Sequence, residues 1–246
     1  MKNKILSLSI VFILIIALFS LPGCGTDSTN MEGEPVTENE TLNEVTEQQV
    51  TKIDEEKEIV YSVFDKEYDY FDEKTQVEIP AFNINTEEIK ELNSRIEEEY
   101  QEVAEANEEF GATEVTYEYY VNSDIVSLVI TKTYLEASQD TYEVYNVNQK
   151  TGAVLEKEDV LSAKNITKDA YEAKIAEQIS AKFDETTAAF KEMVGYEDIK
   201  EKNNSKENCS LENTEMYINE EGKLSYIANV YSLAGADKYQ TIFDYE

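Results

Sequence analysis

The stretch "TEVTYEYYVNSDIVSLVITKTYL", residues 113–135, decides the fold. Two runs rich in β-branched and aromatic residues flank Asn122-Ser123-Asp124, a polar trio suited to a turn. Val115, Tyr117, Tyr119 and Val121 alternate along the first run, so they share one face of a strand. Tyr120 points to the other face and is expected to be exposed. "DTYEVYNVN", residues 140–148, supplies a third strand, and "NQKTG" closes it with Gly152 at positive φ. "AVLEKEDVL", residues 153–161, then reads as a short edge strand leading to a turn.

Upstream, "EIVYSVFDKEYDYFDEKTQVEIPAFNI", residues 58–84, carries the same partial alternation and predicts further strands, with Pro80 at an edge or end. Asn85 or Thr86 caps a helix whose first turn holds Glu87 and Glu88. Ile89, Leu92, Ile96, Tyr100, Val103 and Phe110 keep helical spacing, and Gly111 ends it.

Downstream, Tyr171, Ile175, Ile179, Phe183, Phe190 and Val194 give the stripe of a second helix over residues 167–194. "KEKNNSKENCSLEN", residues 200–213, is a polar loop. "MYINEEGKLSYIANV" turns as a hairpin at Glu220-Glu221-Gly222, and "YQTIFDY" adds a last strand. These elements predict an α+β fold, a largely antiparallel β-sheet with two long amphipathic helices packed on one face of it.

The N-terminus reads differently. Lys2 and Lys4 precede an apolar run from Ile5 to Phe19, broken only by Ser7 and Ser9, and then Leu21-Pro22-Gly23-Cys24. A charged start, an apolar core and a small residue before the cut describe an export signal. The core is shorter than the roughly 20 residues that span a bilayer stably. The four residues resemble the lipobox of bacterial lipoproteins, which implies lipidation of Cys24 after cleavage. Two acyl chains anchor stably where one does not. The expected location is the extracytoplasmic face of a bacterial cell membrane, of Gram-positive type. Residues 25–56 are rich in Glu, Thr and Asn without an aromatic residue, as in a solvated tether. The expected organisation is a signal peptide at 1–23, a disordered acidic tether at 24–56, an N-terminal α+β portion at 57–147 and a C-terminal portion at 148–246. The last two are open to forming one body.

Composition excludes whole classes of chemistry. The chain has 21 basic and 53 acidic residues, a net charge of −32, and no histidine or tryptophan. Such a surface repels nucleic acid and favours cationic partners. Without histidine there is no Ser-His-Asp or Cys-His catalysis and no usual zinc ligand. With Cys24 lipidated, Cys209 is the one free thiol, in a polar loop without neighbouring arginine, and no intramolecular disulfide forms. No catalytic residue, metal site or cofactor is assigned, and the binding surface stays unknown. Residues 65–73, "DKEYDYFDE", bunch acids with aromatics but lack the glycine turn of a calcium loop; an alternating strand edge explains them.

Three segments resemble the RsiV-like extracytoplasmic domain family, which includes lysozyme-sensing anti-sigma factor ectodomains and N-terminal modules of peptidoglycan deacetylases. They are "SDIVSLVITKTYL", then "YEVYNVNQKTGAVLEKEDVL", and the closing "MYINEEGKLSYIANVYSLAGADKYQTIFDY". The family's Asn/Asp-x-x-Thr-Gly turn and its acidic-Leu pair fall on Asn148, Thr151, Gly152, Leu155, Asp159 and Leu161. Its link before the last strand falls on Tyr231, Ala234 and Gly235. The glycine-rich segment with a histidine that many relatives carry is replaced by "LEASQDTYE". Residues 1–23 leave no room for a sigma-binding domain, and deacetylase chemistry lacks its histidine ligands. The resemblance implies an exposed α+β domain used for binding a cationic protein such as lysozyme or a cell-wall component. The alternatives are a carboxylate-based glycan enzyme and an accessory scaffold lipoprotein with an endogenous partner.

Overall fold

The computed structural model describes residues 52–246 apart from 138 and 234–237; the readings of Cys24, of the tether up to residue 51, and of Ala234 and Gly235 lie outside the described residues. The chain is already docked at Asp54. Buried Asn83 accepts from its N–H at 3.0 Å and donates to the carbonyls of Asp54 and Lys57 at 2.7 and 3.3 Å. The last residues of the expected tether are therefore held by the body.

Strands β1 (Val60–Tyr70) and β2 (Glu73–Phe82) form an antiparallel hairpin, with β1 at the sheet edge. The acids of residues 65–73 lie on that edge and its turn, as the alternation predicts. Pro80 sits near the end of β2, beside the register shift between Ser62 and Phe64, where a missing N–H is tolerated.

Helix α1 (Glu87–Asn107) starts at Thr86, whose hydroxyl oxygen accepts from Ile89 N and whose O–H donates to Gly152 O. It buries Ile89, Leu92, Ile96, Tyr100 and Ala104. Phe110, expected on that face, is exposed. The Asn107 side chain bonds both the N–H and the C=O of Thr113 and draws the chain into β3 (Thr113–Asn122) before another helical turn forms. Gly111 makes the exit at φ 62°. Strands β4 (Ile125–Tyr134) and β5 (Gln139–Asn148) complete the meander in antiparallel register, and Gly152 turns at φ 69°. The sheet order is β1-β2-β3-β4-β5; only β2 and β3 run parallel, joined at Val77 and Val115, because α1 crosses between them.

Residues 153–161 depart from expectation. Val154 alone bridges to Val147, and Glu156 then caps α2 (Lys157–Ala163) in a reciprocal box with Asp159. The second long helix, α3, spans only Lys168–Thr186. The hydroxyls of Thr186 and Thr187 both donate to Phe183 O, competing with the helical ladder. The chain then turns through Gly195 at φ 89° into α4 (Tyr196–Asn203). Phe190 and Val194, expected on the helix stripe, are exposed instead.

The polar segment at 200–213 is not a free loop. Asn203 and Asn208 are buried; Asn203 pairs with the N–H and C=O of Tyr231, and Asn208 donates to the carbonyls of Asn203 and Asn229. They bind this segment to a second sheet, β6 (Glu215–Ile218), β7 (Leu224–Tyr231) and β8 (Lys238–Asp244), in antiparallel order β6-β7-β8.

The mixed α+β class holds, with a five-stranded, mostly antiparallel sheet and a separate three-stranded one. The two long helices do not share one face of one sheet. Helix α1 covers the first sheet, and α3 covers the second through Tyr171, Ile175 and Ile179 against Met216, Leu224 and Tyr226. The sheets meet back to back, giving four layers within one compact unit.

Candidate functional site

The two sheets touch over β3–β5, where period-two alternation sends Glu118, Tyr120, Ser127, Val129, Tyr142, Val144 and Asn146 away from α1. Val129, Tyr217 and Ile227 are buried between them. Polar groups fix the contact. Ser127 Oγ bonds Asn146 Oδ1 at 2.6 Å and accepts from Ile218 N at 3.0 Å, while Asn146 Nδ2 donates to Met216 O at 2.9 Å. Asn122 Nδ2 donates to Asn219 O, and Tyr142 N to Gln240 Oε1.

At one margin the sheets part around a cleft of about 360 Å³. Its floor is a tyrosine pair: the rings of Tyr120 and Tyr217 stack with centroids 5.6 Å apart and planes 15° off parallel. Tyr120, expected to be an exposed tyrosine, is half-buried, because the second sheet covers the face it points to. Its hydroxyl donates to Glu118 at 2.7 Å; burial first, and then that bond, push the phenol well above its ordinary value. It stays a neutral donor at any physiological pH.

The walls are acidic. Glu118, Glu220, Glu221 and Asp244 line the cleft together with one cation, Lys223, which pairs with Glu221 at 2.7 Å. Asn219 shapes the β6–β7 turn by accepting from the N–H groups of Glu221 and Lys223, with Gly222 at φ 73°. Its amide donates to Ser225 Oγ at 3.0 Å, and Ser225 donates to Asp244 at 2.8 Å, which fixes that carboxylate. Carboxylates held beside a tyrosine pair suit a guanidinium or ammonium group, attracted by the charges and packed against the aromatic surface that Tyr120 leaves open.

The acidic field extends past the cleft. The same face of β1 and β2 stays open and presents Asp65, Glu67, Asp69 and Glu78. Gln76 Nε2 holds Asp65 and Glu78 together at 2.8 Å each, and burial followed by Asp65 raises the Glu78 carboxyl.

A second carboxylate constellation lies on the opposite face. Glu99 of α1 hydrogen-bonds Glu143 of β5, which also accepts from the Tyr145 hydroxyl at 2.8 Å. Burial, then the bond and charge of Glu143, raise the Glu99 carboxyl. Cys209 is buried; its thiol donates to Asn203 O, and burial pushes it up to about 11, well away from a reactive thiolate. Among the described residues no cluster of carboxylate and thiol groups is arranged to hold a metal ion, and no helix is long and apolar enough to cross a membrane.

Of the residues singled out in the sequence, Tyr120 enters the cleft, and Glu220 and Glu221, read there only as a hairpin turn, line its wall. The stacking partner of Tyr120, Tyr217, comes from a hairpin far along the chain, and no local signal pairs them. No protein-family model matches the chain, and a comparison with curated proteins found no match.

Proposed function

We propose that the chain is a lipid-anchored extracytoplasmic binding module whose cleft between the sheets captures a basic side chain of a cationic protein, lysozyme being the first to test. The observation that carries this reading is the stacked Tyr120–Tyr217 pair under the carboxylates of Glu118, Glu220 and Asp244. Net charge and the open acidic face of β1 and β2 steer the partner inward, and the ring pair then supplies the desolvated contact. The resemblance to lysozyme-sensing ectodomains points the same way, and the lipobox-like Leu21-Pro22-Gly23-Cys24 supports anchoring.

Calorimetric titration with lysozyme tests it. Binding is expected at low salt, weaker at higher salt, and weakened about tenfold by Tyr120→Ala. Absence of heat at low ionic strength overturns the choice of lysozyme, and an unaltered affinity in Tyr120→Ala overturns the cleft. Cys24→Ser is expected to release the protein from membrane fractions; retention with normal processing overturns the anchor.

A further inference from the structure

Three turns gather at the end of the first sheet away from where the chain joins β1. The β1–β2 turn carries Phe71, which is 89% exposed; the α1–β3 connection carries Phe110, 66% exposed; the end of β4 carries Tyr134, 40% exposed. They are fixed to one another. A Cβ on Gly111 would lie 2.3 Å from Asp69 O, the Thr75 hydroxyl donates to Gly111 O at 2.8 Å, and Leu135 N donates to Ala112 O at 3.1 Å. Between Phe110 and Tyr134 lies a hollow of about 500 Å³ with Ala106, Ala112 and Ala137 in its lining.

Phe71 is out of place by every folding criterion. Its φ is 51°, a left-handed setting that hairpins fill with Gly, Asn or Asp. Its ring meets the edge of Tyr70 and otherwise faces water. The position costs conformational energy and returns almost no burial, the kind of local cost that gathers at functional sites.

The surroundings select the occupant. Asp72, Glu73, Glu109 and Glu136 surround the aromatic groups and are exposed. Of the nearby lysines, Lys66 pairs with Glu108, Lys74 pairs with Glu67 and Asp69, and Lys132 lies over the rings of Tyr134 and Tyr100 at 5.6 and 6.0 Å from their centroids. Another copy of this chain and an anionic lipid surface both bring charge of the same sign. We propose that this aromatic end is a second docking surface, distinct from the cleft, for a protein segment with an apolar centre flanked by lysine or arginine.

The chain has no tryptophan, so a peptide's tryptophan reports binding without background. The probes are a short peptide with a Leu-Trp-Leu centre between lysines and its Ser-Trp-Ser counterpart of equal charge. The first is expected to shift to the blue on binding and to bind more tightly than the second. Phe71→Ser with Phe110→Ser should weaken the first about tenfold or more, and Tyr120→Ala should leave it unchanged. Phe71→Gly alone should raise the denaturation midpoint while weakening the peptide, since it relieves the backbone and removes the ring. Equal binding by wild type and both phenylalanine variants overturns the proposal. So does loss of binding in Tyr120→Ala, which assigns the peptide to the cleft. A wild-type dimer that the double variant dissolves, or aromatic-dependent sedimentation with phosphatidylcholine vesicles, overturns it in favour of a second copy or a lipid surface.

Discussion

Beneath α1, the five-stranded sheet meets a layer built from fully buried aliphatic groups: Val77, Ile79, Leu128 and Ile130 from strands, and Ile89, Leu92 and Ile96 from the helix. Between the two sheets, the same strands present serine, asparagine and tyrosine, with only a small apolar cluster at the centre. The first contact is held by area removed from water, and the second by a few directed hydrogen bonds. A seam of the second kind can part at its margin without opening a core, and the cleft lies at that margin.

The contrast can be broken from either side. Ile96→Ala removes a wholly buried side chain from the apolar layer and is expected to cost about 3 kcal/mol in chemical denaturation. Asn146→Ala leaves Met216 O without its donor and the Ser127 hydroxyl without its acceptor, at about 2 kcal/mol. A seam loss equal to or greater than the core loss would reverse the ranking of the two contacts.

A smaller effect comes from the rim of the α1 layer. The Glu99 carboxyl is raised in the folded state from an ordinary value of 4.5, by burial and then by Glu143. The native state therefore holds the proton longer than the unfolded chain does. Its contribution is fully present below about pH 4.5 and is lost as pH rises through the raised value. Glu99→Gln removes that titration. Urea midpoints of the variant should fall less than those of wild type between pH 4.5 and neutrality, and parallel curves would refute the pairing.

Much of the apolar side of this contrast was legible in the chain. Alternation at Val115, Tyr117 and Tyr119 placed the sheet face under α1, and Thr86 marked the start of that helix, whereas its end falls at Asn107, four residues before the expected Gly111. The polar side was not. Tyr120 alternates out of the core, which is also what a solvent-facing residue does, so nothing local announces a second sheet. Asn83, Asn107, Asn146, Asn203 and Asn208 act as substitutes for main-chain partners, a role without periodicity that resembles loop composition. The break after Phe183 hides for a related reason: Thr186 and Thr187 end α3 through their hydroxyls, while Phe190 and Val194 continue the apolar spacing. Half of the cleft was visible in Tyr120; the other half depends on tertiary pairing with Tyr217.

Strand β1 has a mechanical consequence. It joins the body's first docked residues to the aromatic turn at Phe71, over 11 residues of extended backbone. Extended backbone already spans about 3.3 Å per residue, close to the limit of what the chain can reach. Because β1 is also paired along its length with β2, tension applied between its two ends is carried as shear on that antiparallel ladder, and the register shift between Ser62 and Phe64 is the place where the strand has length to give.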